Sequence, residues 1–538
     1  MSSHGGTNYL ATSDDNPAAA HSGRTATDVV TSDLVFRLTR GVEGSGRTVS
    51  CTPMTGEIIA ELPEASAHDV EVAFGRARAA QRSWAALSVR RRAAVLLDFH
   101  DILLDKQAEA MDLIQVETGK ARLHAHEEVQ GVAVVARHYG HKASAYLQPR
   151  RHLGAFPVLT KVTEWHHPRG VVGQIVPWNY PLELSLADAL PALVAGNAVV
   201  TKPDTQSALT PLWARRLLIQ AGLPADVWQI VIGDGRVVGS AVVDRADHVA
   251  FTGSARTGRE VAARAATRLV GASLELGGKN ALLVLADADV DKAVEGALRT
   301  SFSSAGQLCL STERIFVHSS VAPAFLERFV NRTKALTLGT SLGYGVGMGS
   351  LAGRRQLETV SRHVDQAVAE GATVLTGGKP RPDIGPFFYE PTVLDGVKPT
   401  MAVHAEETFG PVVSVYRFTD EDEVIEQVNA TPYGLNSSVW TKDTRRGERI
   451  ATRLQSGTVN INEGYTAAHG SVRSPMGGMK DSGLGRRHGR EGILGYTEPQ
   501  TVATQRILPL APSMGMDDQR YAAFISLSLR VMKALRLG

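Results

Sequence analysis

Cysteine is nearly missing from this 538-residue chain, which holds only Cys51 and Cys309. Two thiols cannot make a disulfide framework, so a reducing, cytoplasmic compartment is expected. Long apolar runs are missing as well. Leu190–Val200, among the longest, is broken by Pro191 and Gly196 and falls short of the ~20 residues a membrane span needs. No excess of one charge exists either: 57 Lys and Arg face 55 Asp and Glu, a net +2, which argues against a nucleic-acid footprint. Glycine (52) and proline (24) occur without period, which excludes a collagen-like fibre. Met1–Arg24 is polar and small-residue-rich, without the apolar segment of a signal peptide. What is left, 43% hydrophobic and 21% charged, is the composition of a globular protein long enough to bury large cores.

Along the chain, residues 1–45 read as a flexible extension with little to bury. Val70–Arg82 and Arg90–Thr118 carry apolar residues at helical spacing. The character then changes. Gly170–Pro177, Ala198–Lys202, Trp228–Ile232, His248–Thr252 and Ala272–Leu276 are short β-rich runs, with helical patterns at Leu209–Ala221 and Ser254–Ala266 between them. This alternation predicts an α/β, doubly wound parallel sheet of Rossmann-like type, with ligand at the carboxyl ends of its strands. A second α/β stretch begins near Ala281–Ala286 and continues through Glu313–Val317, Val412–Phe418 and Thr458–Asn462. The boundaries expected are a dinucleotide-binding domain over 46–150 and 171–280, and a catalytic domain over 281–490. A small β oligomerisation element is expected from 151–170 and 491–510, followed by a tail at 511–538. Leu159–Pro168 and Gln500–Leu508 read as exposed strands able to pair with a neighbouring subunit. The tail segment Tyr521–Leu537 reads as a helix docked on its own chain or on a partner subunit, with a membrane surface as the alternative.

Several residues could carry chemistry. Cys309, in the run Ser304–Cys309, leaves a helical pattern on a glycine-containing segment, where free backbone N–H groups would favour a thiolate; the bland alternative is a small buried hydrophobe. Cys51 has no such company and reads as structural. Glu275 sits in an apolar strand, so burial should raise its pKa toward that of a general base, unless it simply pairs with Lys279. Asn179 follows the first strand of the parallel sheet, where its amide could donate to an oxyanion; otherwise it is a turn residue. Phe251–Ser254 ends a strand and opens a helix whose N–H groups would favour phosphate, although no GxGxxG stands there. Lys202 ends the second strand, near where dinucleotide folds contact ribose. No metal site is expected.

Taken in order, PWNYP (177–181), KPD (202–204), FTGS (251–254), ELGGK (275–279), GQLC (306–309), EETFGPV (406–412) and SPMGGMKDSGLGRR (474–487) resemble the aldehyde dehydrogenase superfamily across about 45–505. The resemblance implies oxidation of an aldehyde to a carboxylic acid. Cys309 would be the nucleophile, Asn179 and the Cys309 N–H would hold the oxyanion, and Glu275 would activate the hydrolytic water. It also implies a nicotinamide dinucleotide held by Trp178, Asn179, Lys202, Pro203, Asp204, Thr205, Gly253, Ser254, Leu276, Glu407 and Phe409. NAD-preferring members often carry Glu three residues after the lysine; Thr205 stands there, so NADP is expected, with NAD accepted. Asp204 would oppose a 2′-phosphate if it pointed inward. Dimers or tetramers of like chains are implied.

For the substrate, segments such as GNAVVTKPD, SAGQLCLS and SGTVNINEG resemble the NADP⁺-type succinate-semialdehyde dehydrogenases. Two arginines that grip the substrate carboxylate in such enzymes correspond to Ala187 and Ser303 here. Asp188 replaces a common family lysine, and Ser311 replaces a second cysteine. Arg473, with His469, is the candidate replacement anchor for the anion. The alternative is an uncharged aliphatic or aromatic aldehyde; a catalytically silent scaffold would have no need of Cys309, Glu275 and Asn179 together.

Overall fold

The structure is a computed structural model describing residues 23–154, 156, 159–506, 511–512 and 515–536. Two large sheets organise it. The first has six strands in the spatial order Gly483–Leu484, Gly271–Glu275, His248–Thr252, Val171–Val176, Ala198–Pro203, Trp228–Ile230. All pair in parallel except the short Gly483–Leu484, which runs antiparallel against Leu274 and Glu275. Every residue of His248–Thr252 and Ala198–Pro203 is buried, as expected when helices cover both faces of a parallel sheet.

The chain leaves Val171–Val176, winds outward to Trp228–Ile230, then returns to the other side with His248–Thr252. That reversal of direction is a topological switch point, where the loops after neighbouring strands part and open a crevice. It places Pro177–Asn179, Gly253–Ser254 and the end of the Glu275 strand at one edge.

Pro181–Ala195 is the helix behind this crevice. Pro181 sits in its first turn, Gly196 ends it at φ 101°, and all fifteen residues are buried. Proline's fixed φ suits a helix start, and glycine supplies the left-handed cap. Ala67–Ala86 begins with a reciprocal cap in which Ser66 accepts from Asp69 N and Asp69 from Ser66 N; Trp84 on its inner face donates to Leu193 O.

The second sheet has seven strands, Thr373–Thr376, Thr392–Asp395, Val412–Phe418, Thr312–His318, Asn280–Val284, Asn436–Trp440 and Thr458–Ile461, parallel but for the first pair. Strand Asn280–Val284 follows Glu275 after a four-residue loop, and this loop joins the two sheets.

Three expectations are corrected. Residues 1–22 lie outside the described set, but 23–45 are not a loose extension: helices Ala26–Val29 and Ser32–Thr39 form, Leu38 is buried, and Arg24 bonds Asp112. The segment read near Leu159–Pro168 is the central strand of a three-stranded sheet, between Arg150–Leu153 and Thr497–Gln505. Its edges are satisfied within the chain, and the sheet's outer strands, Arg150–Leu153 and Thr497–Gln505, are the exposed edges. Part of the second expected strand, residues 507–508, lies outside the described residues. Asp518–Ala534 is helical, yet none of its residues is buried, and Phe524, Leu527 and Val531 face outward. Of the two supports expected for it, its own chain and a partner subunit, the first buries none of it. No helix among the described residues is long and apolar enough to cross a membrane.

Candidate active site

Helix Val290–Phe302 delivers the chain to Cys309 through an unusual turn: Ser304, Ala305 and Gly306 have φ of 50°, 56° and 70°. Consecutive left-handed residues are costly outside glycine and cluster where backbone must be aimed. Gly306 is required at its position, since a Cβ there would lie 2.0 Å from Gly410 O. The Cys309 carbonyl is fixed by Asn280 Nδ2 at 2.7 Å, and Ser304 N donates to His124 Nδ1 at 3.1 Å.

Cys309, Asn179 and Glu275 come together, and they line two cavities at once. One, of about 290 Å³, is largely apolar, with Leu184, Ala187, Leu308, Val472 and Met476 in its wall. The other, of about 630 Å³, runs along Trp178, Asp204, Gly253, Ser254, Leu276, Glu407 and Phe409. The thiol therefore stands where a small compartment meets a longer cleft.

Asn179 is buried after the first strand and donates from Nδ2 to Gln307 O at 3.0 Å. An amide nitrogen has two protons, so one remains. Glu275 ends its strand, buried, with its pKa pushed up to about 7 by burial, against the pull of Arg487. Lys279 is not its partner: that ammonium pairs with Glu313, which also accepts from Thr408 N and Phe409 N. The sulfur's surroundings are more acidic than the sequence suggests. Burial, then the Glu275 and Glu407 carboxylates, push the Cys309 thiol up to about 12. A proton acceptor close by would ease its ionisation.

In the long cleft, Glu407 accepts from Gly278 N at 2.8 Å, and burial pushes its pKa up to about 8. Gly277 permits this approach, because a Cβ there would sit 2.3 Å from Glu407 Oε2. Phe409, at φ 53°, meets Trp178 edge-on at 5.7 Å. Leu276 N is already given to Ser482 O, so its contribution to the cleft is side chain rather than N–H. Ser254 caps helix Ala255–Ala266 through Thr257 N. Lys202 is buried and its pKa lowered by that burial, with Asp204 and Asp234 opposing. Asp204 turns back to cap Gln206 N at 3.0 Å, opening a short helical turn, Thr205–Ser207; Pro203 ends the strand before it.

Arg473 is corrected: it is exposed and does not line the small cavity, whereas its neighbour Val472 is buried there. A loop charge with no buried partner stays in water. His469 does line the cavity, bonded through Nε2 to Glu183 at 2.5 Å. Ala187 lines it too; Ser303 is buried but is not part of that wall. Ser311 bonds Thr300 O.

The sequence reading missed Arg487, Glu183, His488 and the Arg354–Gln356 wall of the long cleft. Arg487 is buried against Asp188, donating from Nε at 3.0 Å, and it reaches Thr252 Oγ1 at 2.5 Å; Tyr496 donates to the same aspartate at 2.8 Å. Glu183 and Asp188 are the only charged residues in an otherwise apolar helix, and that was the available signal: a buried carboxylate needs a partner.

The aldehyde dehydrogenase family model matches residues 42–502, and the chain belongs to that family. It is 47% identical over 519 residues to a Mycolicibacterium smegmatis protein provisionally named succinate-semialdehyde dehydrogenase [NADP(+)], covering 96% of this chain and 99% of that one. Among solved structures, an E. coli NADP-dependent enzyme superposes with TM-score 0.83 at 32% identity, over 86% of this chain and 95% of that one. Betaine aldehyde dehydrogenase of Staphylococcus aureus, solved with NAD⁺, gives TM-score 0.82 at 31% identity with the same coverage.

Proposed function

We propose that the protein oxidises succinate semialdehyde to succinate with NADP⁺, through a covalent intermediate on Cys309. The carrying observation is that Cys309, Glu275 and Asn179 line both cavities. The small one takes the aldehyde, and the long one fits a dinucleotide. Its charged and polar wall includes Arg354, Arg355 and the N-terminal cap of a helix at Ser254, suited to phosphate oxygens. The Glu407 carboxylate suits ribose hydroxyls; of the stretch 202–205, Asp204 lines this cleft, and Lys202, Pro203 and Thr205 adjoin it in the chain. The name of the mycobacterial relative supports the substrate and NADP⁺; Thr205, which brings no charge against a 2′-phosphate, supports the same cofactor.

In this reading Cys309 sulfur bonds to the aldehyde carbon as its proton leaves toward Glu275. The carbonyl oxygen becomes an oxyanion that accepts from Asn179 Nδ2 and Cys309 N. The bound nicotinamide supplies the hydride acceptor. With that first proton passed on to solvent and the hydride gone from the carbon, Glu275 takes a proton from water as the water oxygen attacks the thioester carbon; the C–S bond breaks, that proton goes to the leaving sulfur, and acid and thiol are released. The burial that raises Glu275 suits it for accepting protons near neutrality. The exposed edge Thr497–Gln505 is proposed as the seam for a dimer or tetramer.

The test is reduction of NADP⁺ and NAD⁺ by succinate semialdehyde and a panel of uncharged aldehydes, with Cys309→Ser as the blank. Turnover by the parent and its loss in the variant is expected. Equal rates from both would remove the nucleophile.

A further inference from the structure

Resting on that reading, we infer that His469 and His488 form a two-imidazole clamp for a carboxylate at the far end of the aldehyde. Both line the small cavity that contains Cys309. Their rings lie 5.8 Å apart, inclined at 52°. Among the described residues, the Nδ1 atoms of both are buried without a hydrogen-bond partner. A buried polar nitrogen left unpaired is costly, and two beside one cavity identify what a ligand there should offer.

The neighbours decide which ligand. Glu183 accepts from His469 Nε2 at 2.5 Å, and this carboxylate keeps the His469 pKa above its ordinary value despite burial. Charged imidazole bears protons on both nitrogens, so the unpaired Nδ1 is a donor. His488 is held neutral by burial, with His469, Arg487 and His138 pushing the same way; it still has one N–H to give. Two further carboxylates stand in the wall: Glu127 accepts from Tyr465 OH at 3.1 Å, and burial raises the pKa of both Glu127 and Glu275. With Glu127 and Glu275 both inclined to hold a proton, the charged His469 Nδ1 and, in its Nδ1–H tautomer, His488 call for an acceptor, and a carboxylate meets both.

His488 also holds a backbone conformation of φ 61°, ψ 173°, a region occupied almost only by glycine. The strain is maintained by Gly492 N on His488 O at 2.8 Å and Gly489 N on Val472 O at 2.9 Å. A glycine would suit the turn better, and the imidazole is what the strain retains. Ala187, in the same wall, brings no charge, so the histidines stand in place of arginines.

The experiment uses the full chain with NADP⁺ and compares succinate semialdehyde with butanal, its uncharged counterpart of equal chain length. His469→Leu is expected to lower kcat/KM for succinate semialdehyde about 10- to 100-fold, chiefly through KM, while butanal changes less than about threefold. His488→Asn, which keeps a donor and tolerates the backbone, should retain part of the selectivity. If His469→Leu does not fold, His469→Gln serves with the same expectation. An unchanged ratio between the two aldehydes, or an equal fall in both, overturns the clamp while leaving aldehyde oxidation intact. A parent inactive toward every aldehyde would instead end the dehydrogenase reading and the clamp with it.

Discussion

Arg487 donates to Asp188 at 3.0 Å and, from the same position, lowers the pKa of Glu275, which Asp188 raises. One buried ion pair thus acts on the proposed base with opposite signs from its two ends.

Removing either end should move the pH profile in opposite directions. Arg487→Met takes away the positive charge, so the Glu275 pKa rises from about 7 and the acid limb of kcat shifts to higher pH. Asp188→Asn shifts it to lower pH. Breaking the pair from one side also costs about 3–5 kcal/mol, to be read from urea denaturation. Profiles that do not move would separate the pair from the base.

Glu275→Gln should stabilise the fold at alkaline pH. Its carboxyl stands near 7 in the folded state, against about 4.3 in an unfolded chain. The folded form therefore binds the proton more tightly. Stability from this group is present at low pH and lost as pH rises between those values, by about 4 kcal/mol. The variant lacks that loss, so its Tm should exceed the parent's at pH 8 and converge toward it near pH 4. Its kcat should fall about 10²- to 10⁴-fold.

Thr205→Glu tests the cofactor assignment. A carboxylate beside buried Lys202 would repel a 2′-phosphate, so kcat/KM with NADP⁺ should fall about tenfold or more relative to NAD⁺. A parent that already prefers NAD⁺ strongly would overturn the Thr205 reading.

Gly277→Ala places a Cβ 2.3 Å from Glu407 Oε2. Displacing that carboxylate should raise the KM for the dinucleotide several-fold, with the aldehyde KM nearly unchanged. Initial-rate kinetics with each reactant varied separately decide it.

The parallel sheet was legible because its strands, buried on both faces, read as short apolar runs between helical patterns; Gly170–Pro177 and His248–Thr252 stand where such runs do. Glu275 was legible as a carboxylate inside such a run. The Cys309 environment was not. Its glycine-containing approach suggested free N–H groups, whereas the acidic side chains near the sulfur come from a strand end 34 residues away, at Glu275, and a loop 98 residues away, at Glu407. Arg473 looked like an anchor because charge is visible in sequence and direction is not. His488 was hidden for the opposite reason: an ordinary residue name gives no sign of a glycine-like backbone.

The turn at Ser304–Gly306 carries a consequence for how this scaffold can change. Gly306 abuts Gly410, one residue beyond Phe409, so the loop bearing the sulfur and the loop bearing Glu407 are geared together. Neither can be retuned alone. New aldehyde preferences would have to arise on the opposite wall, in the short helix Thr466–His469, where replacements leave the machinery of the reaction untouched.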